Sequence, residues 1–99
     1  MAKRKAKKAS QVCILTVTGK DKVGIIARIA NTMSKANVNI IDVSQKIMDE
    51  FFVMSLACDI AEAIIDLPAI HKQLQKIAKE MDLNITFQHE SIFKMMHRV

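Results

Sequence analysis

The apolar residues of this chain follow two different periods, and the order of the periods restricts the possible folds more than any other feature. Two segments, 25–33 and 70–81, repeat apolar residues at every third or fourth position, which is typical of a helix with one buried face. Four others have the β-branched composition and alternation of strands, at 12–18, 38–48, 51–59 and 83–87. The predicted order is therefore strand, helix, strand, strand, helix, strand.

The connections between these segments narrow the fold further. Only Asp49 and Glu50 separate the second strand from the third, so these two strands are predicted to form an antiparallel hairpin. This order fits the ferredoxin-like βαββαβ arrangement, an α+β fold in which two helices cover one face of a four-stranded antiparallel sheet. A short C-terminal helix over 92–97, with Ser91 as its cap, is added to that arrangement.

The composition agrees with one small domain that has an aliphatic core. Of the 99 residues 51% are apolar, but only four are aromatic. Cys13 and Cys58 lie in strands without a CxxC spacing, so we expect buried small hydrophobic residues rather than a disulfide or a metal pair. The sheet face that the helices leave uncovered would carry the apolar side chains of Val12 and Ile14. Exposed apolar patches of this kind usually mark interfaces, so we expect self-association.

Neither a membrane span nor a secretory signal is visible in the sequence. No apolar run approaches the roughly 20 residues that cross a bilayer. The basic start is not followed by the apolar segment of a signal peptide. We therefore expect no membrane partner and a cytoplasmic location.

The net charge of +5 belongs to the N-terminal arm rather than to the predicted domain. Residues 1–10 contain no acid, whereas basic and acidic side chains balance over 11–99. The arm has no periodicity and is predicted to be disordered. It serves either as a solubilising terminus or as a weak contact to nucleic acid phosphates. The side chains that would make that contact are Lys3, Arg4, Lys5, Lys7 and Lys8.

The turn between the first strand and the first helix is the strongest candidate for a binding site. Gly19 and Gly24 flank it, and Asp21 is expected to cap the helix. Exposed amides at a helix N-terminus can hold a small ligand. The amide side chain of Asn39 could approach the same point. Each of these residues also has a purely structural interpretation, as turn glycine, cap or local hydrogen-bonding group.

Three sets of residues together resemble the ACT domain, the small amino-acid-sensing module of metabolic enzymes. They are the strand end Thr16-Val17-Thr18-Gly19, the turn Lys20-Asp21-Lys22-Val23-Gly24-Ile25-Ile26, and Ala36-Asn37-Val38-Asn39-Ile40. More narrowly, the chain resembles stand-alone, uncharacterised ACT proteins of prokaryotes. This narrower resemblance rests on Asp42-Val43-Ser44-Gln45, Asp49-Glu50-Phe51-Phe52-Val53-Met54 and Ser91-Ile92-Phe93-Lys94-Met95-Met96. It covers residues 11–99, everything except the arm.

The resemblance implies a homodimer or higher oligomer that binds a small ligand, in many members an amino acid, at a subunit interface. The ligand-binding residues that it implies are Gly19, Asp21, Val23, Gly24, Ile25, Asn39 and Ile40. Two of them depart from the family pattern. Val23 stands where many members have Pro, and Asp21 stands where serine-binding members have Asn. An acid there should favour an ammonium group and disfavour a nearby carboxylate.

No catalytic constellation, cofactor motif or metal-ligand spacing is present in the sequence. His71, His89 and His97 are widely separated, and neither an HExxH motif nor a phosphate-binding loop occurs. A regulatory binding module, not an enzyme, is therefore the first hypothesis. The alternatives are a nucleic-acid-associated protein that uses the basic arm and an assembly domain without a ligand.

Overall fold

A computed structural model describes residues 9–20 and 22–96 of the protein. Four strands form one sheet in the order β2-β3-β1-β4, and each neighbouring pair is antiparallel. The predicted ferredoxin-like fold with a short additional helix is confirmed. Three parts of the chain lie outside the described residues: residues 1–8 of the basic arm, Asp21, and residues 97–99 with His97. The elements are β1 Val12–Lys20, α1 Ile25–Lys35, β2 Asn39–Met48, β3 Phe51–Asp59, α2 Leu67–Met81, β4 Leu83–His89 and α3 Glu90–Met96.

The core lies between the sheet and the first two helices. α1 buries Ile25, Ile29 and Met33, as the periodicity predicts. α2 likewise buries residues about one helical turn apart: Ile70, Leu74 and Ile77. Alternate residues of three strands fill the other side of this layer. They are Cys13, Leu15 and Val17 of β1, Phe52, Met54, Leu56 and Cys58 of β3, and Leu83, Ile85 and Phe87 of β4.

The two cysteines are buried thiols, as expected. Cys13 and Cys58 lie directly opposite each other on β1 and β3, and both are free and fully buried. Burial raises the pKa of Cys58 to about 12, and the neighbouring Cys13 adds to the rise. The pKa of Cys13 is raised as well, first by burial and then by the carboxylates of Asp59 and Glu90. Both groups therefore remain neutral and act as small apolar side chains.

The uncovered face of the sheet is mixed rather than polar. Val12 and Ile14 are half-buried there, beside the hydroxyl-bearing Thr16 and Thr18 of the same strand. The apolar surface that prompted the expectation of self-association is thus present, and that expectation stays a prediction.

Two helices begin earlier than the sequence predicted. α2 begins at Leu67, ahead of the predicted segment 70–81, with Pro68 in its first turn, and the Asp66 carboxylate caps it by accepting the Ala69 N–H at 3.0 Å. α3 begins at Glu90, so the predicted cap Ser91 lies inside the helix. The Ser91 N–H instead donates to Nδ1 of His89 at 3.2 Å.

The predicted cap of α1 was wrong. The helix begins at Ile25 with Gly24 in the N-cap position, and no side-chain hydrogen bond caps it among the described residues. Asp21 therefore does not hold that position. Gly24 has a φ of 91°, a left-handed conformation that glycine adopts readily. The first turn of α1 contains no acidic side chain, so its positive dipole end is not neutralised from within the turn.

Candidate functional site

The loop between β1 and α1 lies at one end of the sheet. The β2–β3 turn and the start of β4 lie at the same end. Gly19 is opposite Phe52 on one side and Leu83 on the other. We call this end of the sheet the loop end. Arg28 in the first turns of α1 donates to Glu80 of α2 at 2.6 Å, which fixes the start of α1 beside the end of α2. Four candidate residues, Gly19, Val23, Gly24 and Ile25, therefore belong to one small region.

The two glycines of this region are required for different reasons. A Cβ on Gly19 would lie 2.8 Å from Cδ2 of Leu83 and 3.3 Å from the Asp82 carbonyl oxygen. Gly19 therefore allows β1 and the start of β4 to approach closely. A Cβ on Gly24 would meet nothing within 4 Å, so only its φ calls for glycine. The space above Gly24 is open to an incoming molecule.

The surroundings of Gly24 combine hydrogen-bond donors with an exposed apolar side chain. The first amides of α1 point away from the helix, and no described side chain caps them. Val23 is 100% exposed, while Ile25 is buried in the core and anchors the helix start. An anion or a carboxylate is the natural complement of such a helix end.

Asn39 and Ile40 lie at the opposite end of the sheet. Asn39 is opposite Asp59 of β3, and Asp59 is opposite Val12 of β1. β1 rises about 3.3 Å per residue, so Val12 and Gly19 are separated by roughly 23 Å. Within one chain the structure does not bring Asn39 to the loop end. Asn39 is exposed and Ile40 is half-buried against the core.

The candidate acid Asp21 lies outside the described residues. Its neighbours in the sequence, Lys20 and Lys22, are both exposed. The local charge of the described loop is therefore positive, which adds to the dipole of α1.

The histidines of the described region have structural roles. Nε2 of His71 lies 3.0 Å from the Phe87 carbonyl oxygen, to which it can donate, and Nδ1 of His89 lies 3.0 Å from Oγ of Ser91. Over residues 9–20 and 22–96, no three His, Cys, Asp or Glu side chains converge in a way that could hold a metal ion. None of the described helices is long and apolar enough to cross a membrane.

Two features of the sheet edges did not emerge from the sequence. At the β4 edge, His71 and Gln75 of α2 bond to the backbone carbonyls of Phe87 and Ile85, at 3.0 Å each. At the other edge, every residue of β2 after Ile40 is exposed. His71 and Gln75 are four residues apart, on the helix face beside the buried stripe. That spacing is the sequence signal that could have indicated their bonds at the β4 edge.

Comparison with known proteins identifies the fold family. The family model described as the ACT domain matches residues 11–88. The chain belongs to the ACT domain family. It is also 41% identical to a UPF0237 protein of the archaeon Methanocaldococcus jannaschii over 86 residues, which are 87% of this chain and 96% of the relative. That relative is a small protein with little outside its ACT domain, as expected from the narrower resemblance.

Solved structures with the same ACT fold agree. An ACT domain protein from Streptococcus pneumoniae superimposes with a TM-score of 0.73 and is 28% identical, over 87% of this chain and 97% of that one. A formyltetrahydrofolate deformylase from Pseudomonas syringae has a TM-score of 0.75 at 20% identity, with 28% of its chain covered. The second likeness concerns the fold alone. ACT domains are typically regulatory modules that bind small molecules, and they commonly oligomerise.

Proposed function

We propose that this ACT protein is a regulatory module, not an enzyme, and that it binds an amino acid at the loop end in an assembly of two or more copies. One observation carries the proposal. Among the described residues, no side chain caps the N-terminus of α1 and its first turn holds no acid, and beside Gly24 lies space that no described residue fills. A ligand carboxylate there would accept from the free amides and complement the helix dipole.

The remaining parts of an amino-acid ligand have candidate partners nearby. Val23 offers an exposed apolar surface for the ligand side chain. Asp21 is the only acid of the loop sequence and is assigned to the ligand ammonium group. Asn39 and Ile40 would be contributed by a second copy, because within one chain they belong to the opposite end of the sheet.

The test is a titration of dialysed protein with each of the twenty amino acids, by calorimetry and by thermal shift. A ligand at 100 times its dissociation constant should stabilise the protein by about 2.7 kcal/mol. For a domain of about 100 residues this raises the melting temperature by more than ten degrees. If none of the twenty amino acids changes the melting temperature, the amino-acid proposal fails.

Variants at Val23 locate the site. Since this side chain is fully exposed, Val23→Asn and Val23→Asp should both leave the unliganded melting temperature within about a degree or two. Val23→Asp places a negative charge next to the proposed carboxylate site. It should weaken binding about tenfold more than Val23→Asn, which has a similar shape without the charge. Equal affinities of the two variants would place the ligand elsewhere.

A further inference from the structure

The end of the sheet opposite the loop end is where the basic arm joins the domain. β2 begins there at Asn39, β3 ends at Asp59 and β4 ends at His89. The Gln11 N–H donates to Oδ1 of Asp59 at 3.0 Å, and the Ile60 N–H donates to the Gln11 carbonyl oxygen at 2.9 Å. These two bonds fix the root of the arm against the end of β3. We call this end of the sheet the arm end.

The arm makes this end of the molecule positively charged. Residues 1–10 contain five basic side chains and no acid, and they precede residue 11, where the match to the ACT model begins. The domain adds cations and acids of its own at this end, which are Lys35, Lys72 and Lys94, and Asp42, Asp59, Glu62, Asp66 and Glu90. The basic side chains therefore outnumber the acidic ones, and the natural complement of the arm end is an anionic surface.

The connection between β3 and α2 presents a large apolar side chain to solvent at the arm end. Ile64 is 71% exposed, although its N–H is bonded to the Ala36 carbonyl oxygen at 3.0 Å. Its neighbours Ala63 and Ile65 pack against the core. The segment is thus anchored on both sides of Ile64, and this side chain is held outwards. An exposed apolar side chain in an anchored segment is typical of an interaction surface.

The C-terminal helix α3 presents two more apolar side chains at the same end. The helix lies against β1 and β4, and its Phe93 is half-buried. Ile92 and Met95 are 49% and 72% exposed, and their spacing of three residues places them on one side of the helix. Lys94 between them is exposed and lies 3.5 Å from the Glu90 carboxylate. α3 therefore has an apolar side that faces solvent at the end where the basic arm begins.

The combination of basic and exposed apolar side chains discriminates between the anionic partners that the arm could bind. Nucleic acid is held by lysines on its phosphates and by aromatic rings on which its bases stack, but the apolar side chains here are Ile and Met. A second copy of the chain would bring two basic arms together, and like charges repel. An anionic lipid bilayer matches both features, because its headgroups attract basic residues and its interface takes up apolar side chains.

We propose that the arm end docks on the surface of an anionic lipid bilayer, with the basic arm on the headgroups and with Ile64, Ile92 and Met95 inserted at the interface. The expectation of no membrane partner rested on the lack of a spanning segment, and binding to a surface requires none. Each signal alone gives marginal binding, whereas a basic patch and an apolar insertion together give a stable attachment. The loop end faces away from the bilayer, so this proposal does not rest on the proposed ligand.

The test is co-sedimentation of the full-length protein with vesicles of phosphatidylcholine, alone or mixed with phosphatidylglycerol. Binding should require the anionic lipid and should weaken as the salt concentration rises, because salt screens the attraction of the arm. Each Lys or Arg near an anionic surface strengthens binding about fivefold. Lys3→Gln combined with Lys5→Gln should therefore weaken binding roughly 25-fold. The matched control, Lys46→Gln with Lys79→Gln, removes the same charge nearer the loop end and should weaken binding less than about threefold.

Substitutions of the exposed apolar side chains test the insertion. Met95→Gln and Ile64→Gln replace side chains that are mostly exposed, so both variants should melt at the temperature of the parent protein. Each should weaken binding to the anionic vesicles about tenfold, because apolar surface is no longer transferred into the interface. The matched control is Met48→Gln, at a position 53% exposed at the loop end, which should bind as the parent protein does.

Four results would overturn the proposal. The first is a failure to bind the anionic vesicles at low salt, and the second is vesicle binding that neither Met95→Gln nor Ile64→Gln weakens, since charge alone would then account for it. The third is tighter binding to a single-stranded oligonucleotide than to vesicles at equal phosphate concentration, which would assign the arm to nucleic acid. The fourth is an oligomer, in sedimentation without vesicles, that Met95→Gln or Ile64→Gln dissociates, because these side chains would then lie between copies. A missing response to amino acids would remove the proposed ligand and leave the docking surface standing.

Discussion

Replacement of Gly19 by alanine should destabilise the protein through a contact that the structure defines atom by atom. The new methyl carbon would lie 2.8 Å from Cδ2 of Leu83 and 3.3 Å from the Asp82 carbonyl oxygen. The first distance is well inside van der Waals contact, and the φ of 156° adds strain. Overpacking of this kind costs about 1–3 kcal/mol. In a domain of this size the melting temperature should fall by roughly 5–20 °C.

The clash can be separated from the strain with two further variants. Leu83→Val removes the δ-carbons and costs about 1 kcal/mol on its own. In that background, Gly19→Ala should cost less than in the parent protein, by at least about 0.5 kcal/mol of coupling. Gly24→Ala meets no atom within 4 Å and should cost only its backbone strain, about 1 kcal/mol.

Urea denaturation followed by circular dichroism measures all of these variants on one scale. The midpoint should move while the slope stays constant, since the fold is unchanged. A Gly19→Ala protein as stable as the parent would refute the argument, because the chain would then have relaxed at no cost. Additive effects of Gly19→Ala and Leu83→Val would show that the clash is not with Leu83.

Three further outcomes follow from the described contacts. Asp66→Ala removes the cap of α2 and should cost about 1 kcal/mol in the same urea assay. Glu80 has a pKa lowered from its ordinary value of 4.5 by the hydrogen bond from Arg28, so its contribution is present above about pH 4.5 and is lost as the pH falls further. In Glu80→Gln the free energy of unfolding should therefore fall less steeply below about pH 4.5, the acid branch of its pH dependence. Cys13 and Cys58 should not react with a thiol reagent at pH 8 in the folded protein, since burial raises both pKa values.

Each of these outcomes has a matched control. Asp66→Asn retains a capping oxygen and should stay close to the parent protein. Glu50→Gln removes another exposed carboxylate and should leave the acid branch nearly as steep. Both thiols should become reactive in urea. Rapid labelling of the folded protein would contradict the burial argument, and equal acid branches for the two glutamine variants would contradict the role of Arg28.

The periodicity predicted the core well and the helix ends poorly. Ile29, Met33, Leu74 and Ile77 are buried as their spacing requires, because a helix face is a local property of the sequence. The expected cap at Asp21 was wrong. Several polar residues precede α1, and only the backbone conformation of Gly24 decides where the helix begins.

The candidate site was predicted in part. The sequence grouped the glycines of the loop with Val23 and Ile25, and these residues do lie together. The position of Asn39 depends on how β2 pairs with β3, which is a contact between residues far apart in the chain. The same is true of the hydrogen bonds at the β4 edge, which His71 and Gln75 of α2 make to the backbone of another element.

The sequence by itself determined the order of strands and helices and the apolar face of each, because both follow from spacing along the chain. Only the tertiary structure decided that side chains of α2 bond to backbone carbonyls at the β4 edge, while β2 after Ile40 is exposed. It also separated Asn39 from the loop end and placed Gly24 at the start of α1. These properties arise from strand register and from the direction of backbone groups, and neither is set until distant segments pair.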